Sequence, residues 1–182
     1  MAFSLKPSAC PPARFALAIV GVGNTLAGDD GAGVEAVRRL AARWGGQPGV
    51  LFHTIEGDHF EIADLLDCAE RFIFVDAVSG ERPGELVRMG ETRRAFAPSF
   101  HQTDIAAVMQ TLEALGIVVP FPAWEVWGVT ILPPAELGEG LSPEVAEGVK
   151  RLCLKLDELI GEAIGKRFPP LPGPLPPRGE GI

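Results

Sequence analysis

The sequence predicts an α/β fold with three layers, in which a twisted, mostly parallel sheet of about five strands carries helices on both faces. Short apolar runs alternate along the chain with stretches of helical periodicity, the order typical of this class. The 182 residues are 47% hydrophobic and 22% charged, as in one ordinary globular domain. We predict that this domain spans residues 14–165, after a loose leader at 1–13 and before a Pro/Gly-rich disordered tail at 166–182.

The first half of the domain alternates strand and helix. Phe15–Val22 is a continuous apolar run, which is typical of a strand buried on both faces. A helix follows, with its apolar face between Val34 and Trp44, and Val50–Ile55 is the second strand. Asp58 is predicted to begin a second helix, because Glu61 three residues later gives a capping-box-like start.

The second half repeats the two patterns. Its strands are predicted at Phe72–Val75, which stops at Asp76, at Gly84–Met89, which alternates weakly like an edge strand, and at Trp124–Leu132. Its helices are predicted at Thr103–Leu115 and after Ser142–Glu144, where a cap, a proline and an acid form a helix start. Sheets of this kind bind ligands beyond the carboxyl ends of their strands, so the residues that follow strands are candidates for function.

Charge and cysteine content limit the partners and the compartment. The net charge is −8, which argues against nucleic acid or an anionic membrane as the main partner. The three cysteines have no paired spacing, which indicates neither a disulfide framework nor a zinc knuckle and favours a reducing compartment. No apolar stretch is long enough to span a bilayer. We therefore expect a cytoplasmic protein.

The loop at Gly21–Gly33 invites comparison with a dinucleotide-binding loop, since Gly-x-Gly follows a first strand. The third glycine of that fingerprint would fall at position 26, where Leu26 stands. The adjacent carboxylates of Asp29 and Asp30 would also repel a pyrophosphate at the start of the helix. Nucleotide binding is therefore disfavoured.

Three polar residues are candidates for a shared site: Asp30, Asp76 and His101. Each also has a structural explanation, because an aspartate can cap a helix or a turn and a lone histidine is more often a satisfied structural residue. Capping is the better explanation for Asp29. Two carboxylates and an imidazole together are a common ligand set for a divalent cation, with positions left open for water or substrate.

The remaining histidines and the possible nucleophiles give weaker indications of function. His53 lies inside a predicted strand and is interpreted as structural, whereas His59 follows the Glu56–Asp58 turn and is a candidate for support of the site. No serine stands in a Gly-x-Ser-x-Gly setting, and Cys68 falls in a predicted helix. A bound metal that lowers the pKa of water toward ~7 would make hydrolysis by that water feasible at neutral pH, without a side-chain nucleophile.

Three segments in order, Gly21–Gly33, Phe74–Gly84 and Ser99–Thr103, resemble the hydrogenase maturation endopeptidases over roughly residues 15–160. The turn at Glu56–Asp58 lies where that family has a similar acidic-glycine turn. The resemblance implies a twisted five-stranded sheet between helices, a phosphorylase/hydrolase-like arrangement. In this chain His59 follows the turn where the family has small residues, a departure that could alter docking of the substrate.

The resemblance also implies an activity. Family members remove a C-terminal extension from the large-subunit precursor of a [NiFe] hydrogenase after nickel insertion. The family's metal-binding acids fall on Asp30 and Asp76 and its histidine on His101, so these three are the expected catalytic and metal-binding residues. The expected cofactor is nickel supplied by the precursor, and the enzyme is expected to be a monomer. The alternative is a binding module that senses nickel or escorts the precursor without cleaving it.

Overall fold

A computed structural model of the chain describes residues 14–89, 105–133 and 138–165. Its strands are β1 (Leu17–Val22), β2 (Val50–Ile55), β3 (Arg71–Ser79), β4 (Leu86–Met89) and β5 (Ala123–Ile131). Its helices are α1 (Ala32–Trp44), α2 (Ile105–Ala114) and α3 (Pro143–Gly165), with 3₁₀ helices at Gly28–Gly31 and His59–Leu65. The predicted leader at 1–13 and tail at 166–182 lie outside the described residues.

The five strands form one sheet in the order β2-β1-β3-β5-β4. All neighbours pair in parallel except β4, which pairs antiparallel with β5. The predicted mostly parallel five-stranded sheet with an edge strand at 84–89 is therefore confirmed. The parallel strands direct their carboxyl ends to one edge, called here the carboxyl edge.

Each face of the sheet buries its own hydrophobic core. Alternate side chains of a strand point to opposite faces, so neighbouring residues of β3 join different clusters. Ile73 and Val75 pack with α1 and α3, whereas Phe72 and Phe74 pack with α2 and the His59–Leu65 helix. The rings of Phe72 and Phe74 are stacked with centroids 5.9 Å apart. The predicted three layers follow from these two cores.

Two elements differ from the prediction, one in where it ends and one in its type of helix. The strand at Phe72–Val75 does not stop at Asp76, because β3 continues to Ser79 and pairs with β5 as far as Ile131. Asp58 does cap a helix, since its Oδ1 accepts a hydrogen bond from the backbone N–H of Phe60 at 2.9 Å. That helix is 3₁₀ over its seven residues and not an α-helix. In so short a segment, few hydrogen bonds can form to offset the unfavourable free energy of nucleating an α-helix.

Cys68 also differs from the expectation, because it is disulfide-bonded. It lies just beyond the 3₁₀ helix rather than inside a helix, and it is fully buried. The wide spacing of the three cysteines gave no indication of a disulfide.

Among the described residues, no helix combines the length and apolar character that a membrane span requires.

Candidate functional site

The loop that follows β1, residues 23–31, is called here the first loop and carries Asp30. Asp30 lies in the 3₁₀ helix at Gly28–Gly31 and is only 4% exposed. Its Oδ2 accepts a hydrogen bond from the backbone N–H of Asn24 at 3.1 Å. The loop therefore folds back on itself and fixes the Asp30 carboxylate against its own beginning.

Glycines allow this loop to lie directly on the sheet. A Cβ at Gly33, in the first turn of α1, would lie 2.1 Å from the carbonyl oxygen of Val75 and 2.4 Å from that of Val22. Gly23 has φ +146°, and a Cβ there would lie 2.1 Å from the carbonyl oxygen of Asp30. The backbone at the start of α1 consequently touches the end of β1 at Val22 and β3 at Val75, a closeness that only glycine permits.

Asp76 lies in β3, directly after Val75. It is 5% exposed, and its Oδ1 accepts a hydrogen bond from the backbone N–H of Ala77 at 2.8 Å. Pairing of β1 with β3 ends at Gly21 and Val75, so Asp76 is one residue beyond the last pair of that ladder. On its other side it is in register with Gly128 of β5. Asp30 and Asp76 are thus two buried carboxylates at the same carboxyl edge.

Asp29 points to a different part of the fold. Its Oδ1 accepts a hydrogen bond from the backbone N–H of Ser142 at 2.6 Å, immediately before α3. The hydroxyl of Ser142 makes no hydrogen bond to the described residues, so the predicted serine cap of α3 is not formed. The adjacent aspartates therefore have separate partners. Asp29 therefore does not cap α1 as expected, and instead its carboxylate joins the first loop to the residue before α3.

A further acidic residue, Glu56, joins the turn after β2 to the first loop. Its Oε2 accepts a hydrogen bond from the Thr25 hydroxyl at 2.5 Å, and its Oε1 accepts one from Arg38 Nη2 at 2.7 Å. Arg38 belongs to α1. One carboxylate therefore connects β2, the first loop and α1.

The structure describes two of the three histidines. His101 lies outside the described residues, so its predicted place beside Asp30 and Asp76 stays a prediction. His59 is 7% exposed and lies in the 3₁₀ helix after the Glu56–Asp58 turn. His53 is a half-buried residue of β2, as expected for a structural histidine. Within the described ranges no group of three or more His, Cys, Asp or Glu side chains is arranged to hold a metal ion.

A pocket of about 510 Å³ opens beside the first loop, between α1 and the start of α3. Its lining includes charged side chains of both signs and one hydroxyl: Glu35, Glu139, Arg38, Arg39 and Thr25. Neither Asp30 nor Asp76 forms its wall. The pocket is a neighbour of the candidate site and does not enclose it.

The arrangement has a definite chemical capacity. Carboxylate oxygens are hard donors for a divalent cation, and a buried carboxylate interacts more strongly with a cation than an exposed one does. Backbone N–H groups orient Asp30 and Asp76 without introducing a positive charge. These two residues fit the carboxylate part of the predicted ligand set, and a carboxylate here can also serve as a general base.

Sequence reasoning identified Asp30 and Asp76 but missed the role of Glu56, Thr25 and Arg38. Glu56 was noticed only as part of a turn. Its contact with Thr25 joins residues 31 positions apart, which no local pattern predicts. The signal that was present is the location of Glu56 directly after a strand, the same signal that pointed to Asp76 after its apolar run.

Comparison with known proteins gives a consistent result. No family model matches the chain. The hydrogenase expression/formation protein HupD of Bradyrhizobium diazoefficiens is 28% identical over 167 residues, which cover 84% of this chain and 83% of HupD. The [NiFe] hydrogenase maturation protease HybD of Thermococcus kodakarensis is 27% identical with a TM-score of 0.62, covering 80% of this chain and 99% of HybD. The hydrogenase maturating endopeptidase HybD of Escherichia coli, at 24% identity, shares the fold with a TM-score of 0.62, covering 82% and 94%.

Proposed function

Because this chain belongs with the hydrogenase maturation proteases in sequence and in fold, we propose that it removes the C-terminal extension of a [NiFe]-hydrogenase large-subunit precursor. The chain is a peptidase. The observation that carries the finer proposal is the pair of buried carboxylates, Asp30 and Asp76, at the carboxyl edge of a sheet of this family. In α/β sheets this edge is where ligands bind.

In this proposal nickel arrives as part of the substrate. Asp30, Asp76 and His101 bind the nickel that the precursor already holds, so the metal reports that the precursor is ready for cleavage. The two carboxylates are hard donors and the imidazole is a borderline donor, a set that suits a divalent cation. Nickel at this position would polarise a nearby carbonyl.

The chain's own groups would supply the remaining chemistry. A carboxylate oxygen that does not bind the cation would accept a proton from the attacking water and pass it to the leaving amine nitrogen. The burial of Asp30 and Asp76 excludes bulk water from the reacting groups, which strengthens every electrostatic interaction among them. The predicted cytoplasmic location and monomeric state belong to the same proposal.

The test is a cleavage assay on the precursor. Purified precursor, with and without nickel, is incubated with the protein, and the mass of the precursor is followed. We expect loss of a C-terminal peptide from the nickel-loaded form alone. An intact precursor held in a stable complex would instead identify a binding module and would overturn the proposal.

The contribution of each residue is measured in the same assay with Asp30→Asn and His101→Ala. Asn keeps the shape of Asp and removes its charge, so a folded but inactive Asp30→Asn protein supports a charge-dependent role. The matched control is Asp67→Asn, an exposed aspartate that pairs with Arg14 away from the site. Wild-type cleavage by His101→Ala would remove that histidine from the site.

A further inference from the structure

Glu56 occupies an unusual junction for a residue on a turn. Both of its carboxylate oxygens accept hydrogen bonds, from Thr25 on one side and from Arg38 on the other. The backbone N–H of Thr25 also points to Oε2, at 3.4 Å. Hydrogen bonds that involve a carboxylate are stronger than those between neutral groups, and one to a guanidinium adds the attraction of opposite charges. Two donors of Thr25, its hydroxyl and its backbone N–H, therefore bind the same oxygen of Glu56.

Thr25 is the point through which this restraint reaches Asp30. Its preceding neighbour, Asn24, donates the backbone hydrogen bond to Asp30 Oδ2. Gly31, the residue after Asp30, packs so closely on Thr25 that a Cβ at Gly31 would lie 2.9 Å from the Thr25 Cα. Movement of Thr25 therefore disturbs the donor to the Asp30 carboxylate and the backbone directly after it.

We propose that Glu56 is a positioning residue, which holds the Asp30 carboxylate in place by fastening Thr25. This inference rests on the proposed function, because the role of Asp30 in cleavage is part of that proposal. Glu56 acts in it through Thr25 and the first loop, and does not touch the substrate. Arg38 has a supporting part, since its guanidinium fixes the other oxygen of the same carboxylate.

The decisive variants are a matched pair at Thr25. Thr25→Val keeps the shape of the side chain and removes the hydroxyl that donates to Glu56, whereas Thr25→Ser keeps the hydroxyl and removes a methyl group. Glu56→Gln is the second test, because it keeps an oxygen for Thr25 but removes the charge that holds Arg38. Asp67→Asn, on an exposed ion pair with Arg14, is the control for a surface charge change.

Cleavage of nickel-loaded precursor is measured as kcat and KM for each variant. We expect Thr25→Val and Glu56→Gln to lower kcat by about 10- to 100-fold with KM within about twofold of wild type, the effect of a displaced reacting group. Thr25→Ser should recover most of the lost rate. If Glu56→Gln raises KM and leaves kcat unchanged, Glu56 contacts the substrate and the positioning role is wrong.

A second readout does not depend on cleavage. Hydrogen exchange at the backbone N–H of Asn24, which donates to Asp30 Oδ2, reports whether the first loop is held in place. We expect exchange there to be at least about tenfold faster in Thr25→Val than in wild type and Thr25→Ser, as in a loop freed to open locally. Equal exchange in all three proteins would overturn the proposal. An inactive wild type would refute the proposed function, and the exchange at Asn24 would still decide whether Glu56 holds the loop.

Discussion

The sheet buries carboxylates in two regions, and it treats them differently. Glu125 of β5, on the face covered by α1 and α3, is 5% exposed and is held by the guanidinium groups of Arg71 and Arg88. Asp30 and Asp76, at the carboxyl edge, are equally buried and accept hydrogen bonds from backbone N–H groups. A guanidinium neutralises a carboxylate, whereas an amide orients it and leaves its charge.

This difference separates a carboxylate held by two guanidinium groups from two carboxylates oriented by backbone N–H groups. Arg88 also lies over the ring of Trp127, 5.3 Å from its centroid, so the Glu125 cluster is satisfied by neighbours within the fold. Asp30 lies in glycine-rich backbone that packs closely on the sheet, and Asp76 lies in the sheet itself. We therefore expect substitutions in the two regions to have opposite effects, on activity at the edge and on stability around Glu125.

The largest effect is expected for Asp76→Asn. The amide keeps an oxygen that accepts from the Ala77 N–H but carries no charge, so we expect cleavage of nickel-loaded precursor to fall at least about 100-fold. The free energy of unfolding should stay within about 1 kcal/mol of wild type, as for an isosteric change. Mass analysis of the precursor and urea denaturation provide the two measurements. Retained activity would assign Asp76 to the structural class of Glu125.

Gly33→Ala tests whether close packing maintains the edge. The added Cβ would lie 2.1 Å from the Val75 carbonyl oxygen, which belongs to backbone that cannot yield easily. We expect a loss of about 1–3 kcal/mol in the free energy of unfolding, typical of overpacking, together with slower cleavage. Gly161→Ala on α3 is the matched control, because a Cβ there meets nothing within 4 Å. That control should stabilise the protein by about 0.5–1 kcal/mol, the helix preference of alanine over glycine.

Glu125→Gln should have the reverse signature of Asp76→Asn. Removing the charge leaves Arg71 and Arg88 without their ionic partner, but both arginine side chains are partly exposed, 42% and 60%, and water can solvate them. We therefore expect only about 1–2 kcal/mol of destabilisation, below the cost of breaking a fully buried pair. Cleavage by the folded protein should be unchanged. A loss of activity without a loss of stability would contradict the division between the two regions.

The sequence predicted the central strands β1, β3 and β5 because each contains an apolar run that needs burial on both faces, and it predicted β4 from weak alternation. It misplaced the end of β3 for a physical reason. The apolar run ends at Val75, but the strand continues because β5 offers backbone partners as far as Ile131. A strand ends where its neighbour stops pairing, and that information is not local to its own residues.

The candidate site was predictable to the same extent. Asp76 was recognisable because it follows the apolar run Phe72–Val75, and Asp30 because two adjacent aspartates among glycines are more than a helix start needs. Both signals are local properties of the sequence. The partner of Asp29 was not, since Asp29 and Ser142 are 113 residues apart. The contact of Glu56 with Thr25 was not predictable for the same reason, because the two residues are 31 positions apart. The part played by His101 stays a prediction.

The smallest effect concerns a buried ionisable group outside both regions. Cys153 of α3 is 5% exposed against the α1/α3 core, and its Sγ lies 3.7 Å from the Ala36 carbonyl oxygen as a weak donor. Burial raises the pKa of this thiol above its ordinary value, because the thiolate is poorly solvated there. The nearby arginines, Arg39 and Arg43, lower the pKa but do not outweigh burial.

A pKa raised in the folded state has a definite sign for stability. The folded protein holds the thiol proton more tightly than the unfolded chain, so this contribution is fully present below the unfolded pKa of about 8.5 and is lost as the pH rises through the folded pKa. We expect the stability advantage of wild type over Cys153→Ala, measured by urea denaturation from pH 7 to pH 10, to shrink with rising pH. The chain has no tyrosine, so none titrates in this range. A pH-independent difference would show that the side chain contributes by packing alone, and that burial without an ionic partner leaves this group's ionisation unchanged.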